Sequence, residues 1–121
     1  MIEGYVTHDG VPEIRLSVGG REWRTIVDSG FNGDLEVPDA LKVELNPEFY
    51  GEVLSILAAE QSVFEKSYLI DFPFDGETHR VEATFVPSDT ILLGTGMLRN
   101  YLLEIHFPQQ TLRLTRVATD H

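Results

Sequence analysis

Apolar and polar residues alternate along most of this chain, and turn-forming pairs cut the alternating stretches roughly every ten residues. In Glu13-Ile14-Arg15-Leu16-Ser17-Val18 every second residue is apolar, which is the period of a strand with one face buried and one wet. Asp9-Gly10 lies between residues 2–7 and 12–18, Gly19-Gly20 precedes residues 22–27, and Asp75-Gly76 lies between residues 67–74 and 78–86. Asp-Gly suits the positive-φ backbone of a tight hairpin turn, so each such pair predicts an antiparallel ladder. Pro108-Gln109-Gln110 marks a further hairpin between residues 102–107 and 111–117. Helical signal is confined to residues 39–43, with Pro38 or Asp39 near the start, and to residues 95–101, with Thr95 as N-cap. There is no internal repeat, linker or low-complexity segment. The pattern predicts one mainly β, mostly antiparallel domain over residues 1–121.

Composition narrows what such a domain does. A chain of 121 residues builds one core, and 42% hydrophobic with 24% charged residues describes a folded protein. Twenty Asp and Glu against nine Lys and Arg give a net charge of −11, which argues against nucleic acid and anionic membranes as partners. Twelve of the acids lie in residues 1–60 with four bases; without an Asp-x-Asp-x-Asp-Gly loop they read as a solvated face and not a metal site. Zero cysteines remove disulfides, thiolate zinc sites and Cys nucleophiles together. No apolar run is long enough to span a bilayer, and the first residues lack a basic region followed by an apolar stretch. The expectation is a cytoplasmic protein without cofactor, whose chemistry rests on carboxylates, hydroxyls or histidines.

The segment that carries chemistry is Thr25-Ile26-Val27-Asp28-Ser29-Gly30-Phe31-Asn32-Gly33. A β-branched run drives a strand into the core and ends abruptly in Asp-Ser-Gly. A carboxylate directly after a buried strand loses hydration and needs compensating donors. Gly30 has no Cβ, so backbone N–H groups can approach the acid, and Ser29 adds a small hydroxyl able to tie the loop to a neighbour. The tripeptide alone also fits an ordinary Asp-capped turn. Its context is a second segment, Asp89-Thr90-Ile91-Leu92-Leu93-Gly94-Thr95-Gly96-Met97-Leu98, which reads as a short apolar strand, a Gly and a short helix.

In this order the two segments resemble the retropepsin-like (clan AA) aspartic proteases, the single-domain relatives of pepsin. Asp-Ser-Gly-Phe-x-Gly, with Phe31 and Gly33, is similar to the small prokaryotic type, and the resemblance covers roughly residues 12–117. It implies a closed β domain, a barrel with a flap hairpin and one or two short helices, working as an obligate homodimer. Leu92, Leu93 and Gly94 would pack behind the catalytic loop Asp28, Ser29 and Gly30, and residues 97–105 would form the family's helix and next strand. The flap is expected within residues 52–64, with Leu57, Ala58, Ala59 and Glu60 over the substrate and Phe31, Asn32 and Gly33 beneath it. The chain departs from the family in three places. Ser29 replaces the commoner Thr; Asn32 and Thr95 stand where retroviral members carry an Asp–Arg ion pair; and no Gly lies between Gly51 and Gly76, although family flap tips usually contain one.

Rival motifs are poorer fits. Gly94-Thr95-Gly96 begins like a dinucleotide fingerprint, but Arg99 stands where the third Gly belongs. His8, His79, His106 and His121 have no ligand spacing, and Trp23 reads as a half-buried strand residue.

The resemblance implies an aspartic endopeptidase. That chemistry needs two carboxylates sharing one proton, one acting as base toward water and one as acid toward the scissile carbonyl. No second Asp-Ser/Thr-Gly exists, so the mate of Asp28 would come from a second copy across a two-fold axis. Residues 1–5 and 112–117 are candidates for that interface, and the partners expected are this second copy and a peptide or protein substrate. The other reading left open by the sequence is a catalytically silent dimerisation or peptide-binding module with the same fold.

Overall fold

The computed structural model describes residues 1–56 and 61–118, without the side chains of 55 and 56; the expected flap residues Leu57, Ala58, Ala59 and Glu60 lie outside the described residues. The strands are β1 (Ile2–Val6), β2 (Pro12–Val18), β3 (Arg21–Val27), β4 (Leu35–Pro38), β5 (Glu48–Ile56), β6 (Ser62–Phe74), β7 (Glu77–Val86), β8 (Ile91–Leu93), β9 (Tyr101–His106) and β10 (Thr111–Arg116). They form one sheet in the order β5-β6-β7-β4-β8-β3-β2-β1-β10-β9.

The hairpins follow the local signals. Asp75 and Gly76, with φ of 52° and 80°, make the two-residue turn between β6 and β7, and Phe74 pairs with Glu77 across it. β1 pairs β2, β2 pairs β3, and β9 pairs β10, all antiparallel. Two pairings are parallel, β3 with β8 and β4 with β7. Strand β8 thereby inserts between β3 and β4, which are consecutive in the chain, and this insertion builds the site.

Leu16, Trp23 and Leu114 from one end of the sheet share a core with Ile70, Phe72 and Phe74 from the other, so the sheet folds over on itself. It does not close: among the described residues β5 and β9 end the order without pairing each other, which corrects the expectation of a closed barrel. At one end, β5 and β6 run out as a two-stranded ribbon on which Leu54 and Phe64, paired across the strands, are 56% and 73% exposed. The expected helices shrink to single 3-10 turns at Asp39–Leu41 and Thr95–Met97. Gly94, not Thr95, holds the N-cap position of the latter, without a side-chain cap. Among the described residues no helix is long and apolar enough to cross a membrane.

Candidate active site

Strand β3 carries Thr25 and Val27 into the core, and the chain leaves the sheet at Asp28. Asp28 is half-buried, whereas Ser29 and Gly30 are exposed. The Gly30 N–H donates to Asp28 Oδ1 at 2.9 Å, and the Phe31 N–H donates to the Asp28 carbonyl at 3.2 Å. The carboxylate thus organises its own turn, leaving its second oxygen free of hydrogen-bond partners among the described residues.

The rest of the loop is clamped to the end of β8. The Asp28 N–H donates to the Leu93 carbonyl at 2.9 Å, the Gly94 N–H to Asp34 at 2.9 Å, the Thr95 N–H to Phe31 at 2.8 Å and the Gly96 N–H to Gly33 at 3.0 Å. On the sheet side, Val27 pairs with Leu93 and Leu35 pairs with the same residue from the other flank. Both arms of the loop are therefore fixed by one strand. Gly94 makes the close approach possible, because a Cβ there would lie 2.1 Å from the Gly33 carbonyl oxygen. Asp34 adds a brace, accepting the Glu82 N–H on its Oδ2 at 3.1 Å and so joining the loop to β7.

Beside the loop lies a cavity of about 350 Å³. Phe31, Asn32, Gly33 and Glu36 form one wall, and Val53 and Glu65 of the β5–β6 ribbon form the other. Burial pushes the Glu36 carboxyl above its usual range, and the neighbouring charges of Glu65 and Asp28 push it the same way.

The fold has counterparts among solved structures. A retropepsin-like aspartic protease from Rickettsia conorii matches with a TM-score of 0.65 at 19% identity, over 93% of this chain and 88% of that one. The fold is retropepsin-like. The Simian Foamy Virus (mac) protease matches at a TM-score of 0.55 and 22% identity, covering 72% of this chain and 91% of that chain. A foamy viral protease-reverse transcriptase, solved in complex with an RNA/DNA hybrid, gives 0.57 at 20% identity; 78% of this chain aligns to 13% of that much longer one. By sequence alone, no family model and no curated protein matches the chain.

Within the retropepsin-like fold, those residues singled out in the sequence that the structure describes fall into two groups. Asp28, Ser29 and Gly30 form the turn at the end of β3, and Phe31, Asn32 and Gly33 line the adjoining cavity. Four features of the site have no sequence signal: strand β4, the Asp34 brace, and the positions of Glu36 and Glu65. An acid on a half-buried strand looks in sequence like any acid on a wet face. Leu35-Glu36-Val37 does alternate, but over too few residues to announce a strand.

Proposed function

We propose that this chain is an aspartic endopeptidase whose active site forms from two copies, each supplying one Asp28. The observation that carries this reading is the Asp28 turn itself. A carboxylate at the end of a buried strand is held by its own Gly30 N–H and clamped to β8, on a retropepsin-like fold. One chain holds half of a dyad. A two-fold axis through the exposed Ser29-Gly30 tip brings the second carboxylate beside the first, and mutual repulsion leaves the pair with one shared proton. The ionised member takes a proton from a water held between the two carboxylates. The water adds to the peptide carbonyl while the protonated member hydrogen-bonds the developing oxyanion. The tetrahedral intermediate then collapses, the C–N bond breaks and the leaving amine takes a proton from the dyad, with no covalent enzyme intermediate. Peptide substrate lies extended between the loop and the β5–β6 ribbon, bound partly by main-chain hydrogen bonds.

The proposed dimer contact comprises residues 1–5 and 112–117. Strand β10 has neighbours on both sides, β1 pairs β2 only at Tyr5 and Val6, and β9 offers an open main-chain edge among the described residues. The proposed intersubunit strand pairing at this end of the molecule uses β9 beside these two segments.

The test is cleavage of a peptide library between pH 4 and 7 by wild type and Asp28→Asn. The reading expects a bell-shaped pH dependence with its maximum on the acidic side of neutrality. It also expects essentially complete loss of turnover in a folded, dimeric Asp28→Asn. Equal rates for the two proteins would make Asp28 structural and end the protease reading.

A further inference from the structure

The cavity beside the Asp28 loop has room for one amino-acid side chain, and its walls are chemically one-sided. Its position marks it as substrate space: it lies between the residues following Asp28 and the ribbon that would cover a bound peptide. We propose that it is the subsite that selects a basic residue, Lys or Arg, of the peptide substrate. This rests on the protease reading above.

Phe31, Leu35 and Val53 give the cavity apolar surface suited to the methylene stem of a long side chain. Among the described residues, the charged groups lining it are Asp34, Glu36, Glu65 and Glu82 against the cation Arg99. Two of the acids already have neutral donors. Asp34 accepts the Glu82 N–H, and Glu82 accepts the Ser67 hydroxyl at 2.6 Å. Neither bond supplies a positive charge. Glu36 is half-buried, is influenced electrostatically by Glu65 and Asp28, and pairs with no cation among the described residues. Arg99 is exposed.

These facts rank the possible occupants. An apolar side chain would take water from the Glu36 carboxylate and return nothing, and an acidic one would add a further like charge. An ammonium or guanidinium group offsets the repulsion among the carboxylates while its stem covers Phe31 and Val53. The net charge of −11 steers cationic peptides in the same sense.

The experiment measures kcat/KM on a peptide series in which each position in turn carries Lys, Arg, norleucine, Gln or Glu. At one position Lys or Arg should exceed norleucine by about tenfold or more. Glu36→Gln should lower that ratio by about tenfold, and Glu36→Lys should turn it toward Glu. Thermal unfolding shows whether the Glu36 variants fold, and Glu65→Gln on a separate strand reads the same ratio independently. Robust cleavage with no basic preference at any position overturns this inference and leaves the protease reading standing. A basic preference untouched by both Glu→Gln variants also overturns it. Cleavage of no peptide by wild type overturns both readings.

Discussion

The backbone N–H of Asp28 donates to the Leu93 carbonyl at 2.9 Å, so the proposed catalytic carboxylate hangs on a strand far along the chain. Leu93 is fully buried and pairs with Val27 on one side and Leu35 on the other. Truncating it opens a cavity at the junction of three strands. Leu93→Ala should lose about 2–5 kcal/mol of stability, measured by denaturant unfolding.

Gly94 tests the clamp more selectively. Its φ of −93° and ψ of 177° suit any residue, so the obstacle to a side chain is space alone. An added Cβ would lie 2.1 Å from the Gly33 oxygen and 2.8 Å from the Phe31 oxygen, pushing the loop off β8. Gly94→Ala should reduce kcat/KM by about a hundredfold or more, because a displacement of about 1 Å at a catalytic group is costly. At Gly51 an added Cβ meets nothing within 4 Å, and Gly51→Ala should leave the melting temperature unchanged.

Ser29 is exposed, and its hydroxyl has no partner among the described residues of its own chain. In the proposed dimer it bonds across the two-fold to the partner's loop. Ser29→Ala should then weaken dimerisation by about 1–2 kcal/mol with the monomer fold intact, as read by sedimentation over a concentration series. An unchanged dimer constant would show the hydroxyl to be incidental.

Glu36 links the site to pH. Burial first, then Glu65 and Asp28, raise its pKa above the value in the unfolded chain. The folded protein therefore binds more protons than the unfolded one between those two pKa values, and stability falls as pH rises through that interval. The contribution is full below the unfolded pKa and lost above the folded one. Glu36→Gln cannot titrate, so unfolding curves should show the variant gaining on wild type as pH rises from about 4 toward neutrality. A constant difference across that range would contradict this.

The hairpins are legible in the sequence because their causes are local. Period-two alternation and Asp75-Gly76 lie within the residues that pair, and the register of β6 and β7 follows from them. The parallel pairs β3–β8 and β4–β7 leave no such trace, since each joins segments separated by many intervening residues. Only the resemblance brings Asp28 and Leu93 together in advance. Closure of the sheet is non-local in the same way, depending on whether β5 and β9 meet, and among the described residues they do not. Residues 95–101 suggested a short helix, but the main chain around Thr95 and Gly96 instead bonds to Phe31 and Gly33, leaving one 3-10 turn. The loop's own demands outweigh helix propensity there.

The central claim is that each active site draws one Asp28 from each of two chains. It is tested by mixing wild type, at fixed concentration, with increasing Asp28→Asn under conditions where subunits exchange. A tag on one partner verifies that mixed dimers form. If the dyad is shared, mixed dimers are inactive; with equal amounts of the two chains cleavage falls to roughly half, and it approaches zero in large excess of the variant. Cleavage that stays constant at every excess, with mixed dimers present, would show that one chain's Asp28 suffices and would contradict the account.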